Sequence, residues 1–199
     1  MAWDREAGAS RIAGRAEALI AGVDEVGRGP LAGPVVVCAI IMPPGPPIAG
    51  VTDSKRLSAT RREALDVPIR AAAVALALGA ASVREIERLN ILGATTLAMR
   101  RALQRLPLRP DRVLIDGRPV RGLGIEHEAI VGGDASVYAI ACASIVAKVT
   151  RDRLMRALAA RYEGYGWERN AGYGTPAHLE AIRAAGVTPH HRTGFLRAL

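Results

Sequence analysis

The sequence predicts an α/β protein with a mixed central sheet flanked by helices and a C-terminal helical segment. Three observations carry this. Two β-branched, apolar runs stand near the start, at residues 20–26 and 34–41. A third apolar run, 112–117, ends in a carboxylate and a glycine. Long helical stretches occupy residues 90–106 and 135–161. Strands, mixed elements and then strand–strand–helix imply a layered α/β arrangement.

Taken in order, residues 1–19 are Ala- and Arg-rich and are expected to be at most partly ordered. Residues 20–160 are expected to form the main α/β domain, with 161–199 a C-terminal helical and aromatic segment that completes it. The buried strand at 34–41 stops at Pro43-Pro44. Ser58 is a good N-cap for a helix through about residue 65. Residues 71–81 are apolar and uncharged, and periodicity does not choose between helix and strand. A short helix is predicted at 83–88. From 90 to 106, Ile91, Thr95, Met99, Ala102 and Leu106 share one helical face, and Pro107 and Pro110 end it. Residues 126–131 read as a short strand. A glycine-rich, aromatic loop spans 164–174, and Thr175-Pro176 opens the last helix with an N-cap and a proline at its first position.

The 199 residues carry a formal net charge of +8, which favours a polyanionic partner, nucleic acid before membrane. Lys55 and Lys148 are the only lysines. Cys38 and Cys142 lie in apolar runs without zinc spacing and read as buried free thiols. The N-terminus lacks a signal-peptide pattern, and the run 35–42 is too short to cross a bilayer. A soluble cytoplasmic protein is expected. Five of the seven aromatics (Tyr162, Tyr165, Trp167, Tyr173, Phe195) fall in the last forty residues. They could form a stacking surface or simply close a small core edge.

The chemistry is concentrated in Gly22-Val23-Asp24-Glu25-Val26-Gly27-Arg28-Gly29-Pro30. Paired carboxylates suit hard divalent cations, whereas a Gly-Arg-Gly turn offers N–H groups and a guanidinium to phosphate. A bound Mg²⁺ or Mn²⁺ reconciles the two. A dinucleotide loop is rejected, because Pro34 and a β-branched run follow where a helix is required. Asp24 and Glu25 would point to opposite faces of a regular strand, unless a bend at the glycines lets both reach one cluster. Asp116 ends a strand, where open α/β sheets place their sites, although an Asp-Gly turn would serve equally in isolation. Asp134 precedes a helix, where an N-cap role competes. Four carboxylates in three segments, each at an element boundary, could converge on two cations about 4 Å apart.

These blocks resemble the ribonuclease HII family. Residues 24–36 are similar to its opening motif, and Thr52-Asp53-Ser54-Lys55-Arg56-Leu57 to its Asp-Ser-Lys-x-Leu block. Asn90-Ile91-Leu92 with Ala94-Thr95, and Ala98-Met99 with Arg101-Ala102, are similar to its middle helix. Ile115-Asp116-Gly117, Gly133-Asp134 with residues 140–152, Gly172-Tyr173-Gly174-Thr175 with His178-Leu179, and His191-Arg192 complete the pattern. The resemblance implies a ribonuclease H-like fold and endonucleolytic cleavage of RNA in RNA–DNA hybrids, including single ribonucleotides in duplex DNA. Such cleavage leaves 3′-hydroxyl and 5′-phosphate ends and serves replication and repair. It implies metal-binding catalytic roles for Asp24, Glu25, Asp116 and Asp134, and ribonucleotide sensing by Gly27, Arg28, Gly29 and Tyr173. Only the 2′-hydroxyl distinguishes RNA from DNA at a given sugar, and glycines let a backbone approach it closely.

Lys55 is read as a phosphate contact, and Lys148 as a phosphate contact or a helix-surface lysine. Arg151-Asp152 is expected to be a local ion pair, Asp53 a turn or cap residue, and His178, His190 and His191 loop or cap residues. A monomer is expected, and contact with a replication clamp is admitted although the C-terminus has no clear motif for it. Ribonuclease HIII shares the core, but the extra N-terminal substrate-binding domain expected there is missing. A non-catalytic hybrid binder is disfavoured by the retained carboxylates. Two departures stand out: Gly132 replaces the family's usual lysine, and Arg192-Thr193-Gly194-Phe195 replaces Arg-x-Ser-Phe.

Overall fold

The computed structural model describes residues 18–196. The expectation for the N-terminal extension therefore lies, for residues 1–17, outside the described residues. Leu19 is already tied in: its N–H donates to Asp111 Oδ2 at 2.7 Å, and its side chain packs against the core.

Strands β1 (Ile20–Val26), β2 (Val35–Ile41), β3 (Ala75–Ala81), β4 (Arg112–Asp116) and β5 (Glu128–Ile130) form one sheet in the order β3-β2-β1-β4-β5. The first three pair antiparallel, whereas β1–β4 and β4–β5 are parallel, which makes the sheet mixed as predicted. Strand β2 is buried along its whole length because both faces are covered. Its Val35, Val37, Ala39 and Ile41 join one core with the helix α2 (Val83–Arg105). Cys38 and Ile40 join a second core with α4 (Tyr138–Ala159) and α1 (Ala59–Ala72).

Two glycines set the helix–sheet distances. A Cβ at Gly79 on β3 would lie 2.0 Å from the Ala98 carbonyl oxygen of α2. On the opposite face, a Cβ at Gly22 on β1 would lie 2.3 Å from the Ala139 carbonyl carbon of α4. Helix α4 therefore begins directly over β1, one alternation away from Asp24.

Several boundaries depart from the sequence reading. Ser58 caps α1 by accepting from the Arg61 N–H at 3.2 Å, but the helix runs past residue 65 and through Pro68 to Ala72. Buried Leu65, Asp66 and Ile69 sit on that extension, so packing outweighs the missing proline donor. The ambiguous stretch 71–81 divides. It finishes α1, turns at Ala73, and becomes the edge strand β3 once Val74 N–H pairs with the Ile41 carbonyl. The helices predicted at 83–88 and 90–106 join as α2 across a kink at Asn90, whose φ of 57° breaks the helix. The Asn90 side chain then caps the second half by accepting from Leu92 and Gly93 N–H. The long helix predicted from 135 is interrupted at Val137, leaving a single turn, α3 (Gly133–Ser136), before α4. The loop 164–174 contains a further turn, α5 (Trp167–Asn170), and α6 (Pro176–Ala185) starts at the predicted Thr175 cap. A last turn, α7, spans Thr193–Leu196.

Candidate active site

The register of the parallel pair builds the site. Val23 lies beside Ile115, so Asp24 and Asp116 emerge next to each other on the α4 face, at the carboxyl end of β4. Asp134 reaches the same point from α3. The Gly132 N-cap, in the left-handed region at φ 69°, turns the chain there. Gly133 N–H donates to Asp116 Oδ1 at 2.8 Å and ties α3 to the end of β4. One oxygen from each of Asp24, Asp116 and Asp134 lies within 4.8 Å of the others. Glu25 stands outside that trio. It accepts from the Arg28 guanidinium at 3.1 Å and faces the charge of Asp116 across the site.

The electrostatics are those of a cation site. Asp24 is held well above the ordinary carboxylate range, first by burial and then by the charges of Glu25 and Asp116. Burial also raises Glu25 despite Arg28. Asp116 is raised by burial and then by Asp134. Lys55 Nζ reaches Asp134 Oδ2 at 3.3 Å while most of its side chain remains exposed. Partial burial works against the Lys55 charge, and Asp134 outweighs it, leaving the ammonium above its ordinary value. One ammonium against three carboxylates leaves a surplus of negative charge that a divalent cation fits, and carboxylate oxygens are its preferred donors. Beneath the trio, the hydroxyls of Ser54 and Ser144 lie 2.6 Å apart, and Ser144 also favours the ionised form of Asp24. The sequence reading assigned no role to either serine.

The Gly27–Gly33 loop leaves β1 beside this cluster. Gly27 (φ 94°) leaves no room for a side chain, since a Cβ there would lie 2.3 Å from Arg151 Nε. Gly29 is exposed and faces Tyr173, whose Cε1 would be 3.7 Å from a Cβ at 29. Gly27, Arg28, Gly29 and Tyr173 thus share one neighbourhood. Lys148 does not join the carboxylate trio; it pairs with Asp152 at 2.7 Å on α4. Asp53 caps the turn before Lys55, accepting from Lys55 N–H at 2.8 Å.

Two expectations fail. Arg151 and Asp152 are not partners: Asp152 pairs with Lys148 and Arg62, whereas Arg151 is fully buried and donates to the carbonyls of Pro34, Ala171 and Ala32, each at 2.9 Å. Adjacent helix positions lie about 100° apart, which turns Arg151 into the core and leaves Asp152 half-buried beside Lys148 and Arg62. Likewise His178 and His191 are core residues. Their Nε2 atoms lie 3.1 Å apart, His178 Nε2 accepts from Trp167 Nε1 at 3.0 Å, and His178 Nδ1 lies 2.9 Å from the Tyr173 carbonyl. Burial lowers both, His191 to about 4, which favours the neutral imidazoles. His190 stacks edge-on against Tyr162. Most of the C-terminal aromatics accordingly belong to a core: Tyr165 and Trp167 are buried, while Tyr173 remains 44% exposed.

Comparison with known proteins agrees with this geometry. The sequence model of the ribonuclease HII family matches residues 21–198. The ribonuclease HII of Granulibacter bethesdensis is 54% identical over 93% of this chain and 87% of its own length. That of Cereibacter sphaeroides is 56% identical over 88% of this chain and 83% of its own. Among solved structures, the ribonuclease H2 of Pyrococcus horikoshii superposes with a TM-score of 0.75 at 27% identity, covering 90% of this chain and 95% of its own. The ribonuclease HII of Archaeoglobus fulgidus, solved in complex with PCNA, gives 0.73 at 25% identity, covering 87% and 93%. No described helix is long and apolar enough to cross a membrane. With its sheet order, its acidic trio and this match along nearly the whole chain, the protein belongs to the ribonuclease HII family and is a ribonuclease H endonuclease.

Proposed function

We propose that this enzyme hydrolyses the RNA strand of RNA–DNA hybrids and also incises at single ribonucleotides in duplex DNA, leaving 3′-hydroxyl and 5′-phosphate ends. The observation that carries this reading is the convergence of Asp24, Asp116 and Asp134 beside a glycine loop that exposes backbone and an arginine. Those three aspartates would hold the divalent metal, Mg²⁺ or Mn²⁺, with Glu25 placed to assist once released from Arg28. When bound, two such ions activate the attacking water and offset charge on the leaving 3′-oxygen.

The chain's own residues do the rest. Gly27, Arg28 and Gly29 present backbone to the ribose, and the exposed Tyr173 ring stacks on the next sugar, where a second 2′-hydroxyl would be crowded. Arg28 and the exposed Lys55 supply positive charge to the flanking phosphates. Lys148 is a further phosphate contact if the strand reaches its side of α4. The role served is ribonucleotide removal during replication and repair, and contact with a sliding clamp is carried over from the Archaeoglobus complex.

The test is cleavage of a duplex containing one ribonucleotide, and of a continuous hybrid, with and without Mn²⁺ or Mg²⁺. Metal-dependent cuts leaving 3′-hydroxyl ends are expected on both. Binding without cleavage under every condition would replace the reading with that of a hybrid-binding protein.

A further inference from the structure

Two fully buried guanidiniums lie under the Gly27–Gly33 loop, and among the described residues neither is paired with a carboxylate. Among the described residues, all the side-chain hydrogen bonds of Arg192 go to this loop. Its Nη2 donates to the Gly27 carbonyl at 2.6 Å, its Nη1 to the Arg28 carbonyl at 2.9 Å, and its Nε and Nη2 to the Gly33 carbonyl at 2.9 and 2.7 Å. Arg151 holds the return of the loop through Ala32 and Pro34, and links it through Ala171 to the segment that carries Tyr173. Burying an unpaired cation is costly; burial, followed by the charge of Arg151, lowers Arg192 to about 9.

The direction of the bonds shows what is gained. In a trans peptide the carbonyl of one residue and the N–H of the next point opposite ways. With the Gly27 and Arg28 carbonyls drawn inward to Arg192, the N–H groups of Arg28 and Gly29 must face outward. Both residues are exposed, and neither N–H donates to another described residue. We propose that Arg192 is a positioning residue for ribose recognition: by fixing these two peptide planes it presents the Arg28 and Gly29 N–H groups as a paired donor to the substrate sugar and its phosphate. This rests on the ribonuclease reading above. A lysine could not replace it, because an ammonium lacks the planar fork that spans three carbonyls.

The test uses the full chain carrying Asp116→Asn, so that substrate is bound and not cut. Affinity is measured for a duplex with one ribonucleotide and for the same duplex in all-DNA form. Adding Arg192→Lys should reduce the preference for the ribonucleotide duplex by about tenfold, with all-DNA affinity nearly unchanged, while the thermal midpoint falls because buried loop carbonyls lose their donors. An unaltered preference in the folded variant overturns the proposal, as does an equal loss on both duplexes, which would mark a purely structural arginine. If the Asp116→Asn parent itself shows no preference, the functional reading fails and not this inference. Should Arg192→Lys not fold, amide resonances of the otherwise unaltered Asp116→Asn protein decide. Arg28 and Gly29 should shift with the ribonucleotide duplex well beyond their shift with all-DNA, and equal shifts overturn the proposal.

Discussion

Replacing Gly22 with alanine should damage the active site from below without touching a carboxylate. The new Cβ would lie 2.3 Å from the Ala139 carbonyl carbon, 2.5 Å from the Ile140 nitrogen and 2.6 Å from the Ala139 oxygen. Carbon atoms in contact prefer about 3.5–4.0 Å, so the start of α4 must retreat by about 1 Å or more. Overpacking of this kind costs about 1–3 kcal/mol. For a chain of this size that lowers the thermal midpoint by about 2–12 °C. Asp134 precedes α4 by one turn and Ser144 lies within it, so the retreat draws both away from Asp24. Misplacement of reacting groups by about 1 Å can cost about 100-fold in rate. The assay pairs a thermal melt with metal-dependent cleavage of a single-ribonucleotide duplex. Gly79→Ala is the control, since its Cβ would meet α2 on the far face of the sheet; it should cost stability but leave turnover of the folded molecules much less affected. Undiminished turnover in Gly22→Ala, or equal loss in both variants, would refute the coupling of α4 position to the carboxylate trio.

Further outcomes are expected. Asp116→Asn should abolish cleavage while largely preserving binding, which the positive surface supplies; retained turnover would remove Asp116 from the metal site. Without metal the same variant should be more stable than the parent at pH 7. The parent's raised carboxylates bind more protons folded than unfolded, so their repulsion grows as pH rises from the ordinary carboxylate range, near 4, through the raised folded values. Its advantage should shrink on acidification, and comparing the two proteins' melts cancels the opposite, acid-destabilising effect of the depressed histidines. An advantage that does not change with pH would contradict the electrostatic account. Tyr173→Ala should weaken the distinction between ribonucleotide and all-DNA duplexes, and cleavage of single-ribonucleotide duplexes at the parent's rate would discard the stacking role. Affinity for duplex should fall steeply with salt, as the net charge of +8 requires, and a flat dependence would exclude phosphate contacts.

Much of this site is legible in the sequence because its parts sit at element boundaries. Asp116 closes an apolar five-residue strand before a glycine, and Asp24 follows an apolar run into the Gly-Arg-Gly turn. Strand alternation accounts for Glu25 standing outside the trio that Asp24 joins, while its charge still acts on Asp24. Helix ends were less legible where tertiary packing overrides local preference, as at Pro68 and Val137. The internal braces were not legible. Arg151 reads as half of an ion pair with its neighbour Asp152, and Arg192 carries no role of its own, because a carbonyl acceptor leaves no mark in the sequence. His178 and His191 likewise find their partners, Trp167 and each other, only when the C-terminal turns fold together. The only sequence sign of these braces is that Arg151, His178, His191 and Arg192 lie within blocks shared with the family.

The most direct test of the account is anomalous diffraction from crystals of this protein soaked in Mn²⁺. Manganese bound to oxygens of Asp24, Asp116 and Asp134 together is the predicted result. Manganese found elsewhere, with the three aspartates left unliganded at concentrations that support cleavage, would contradict it.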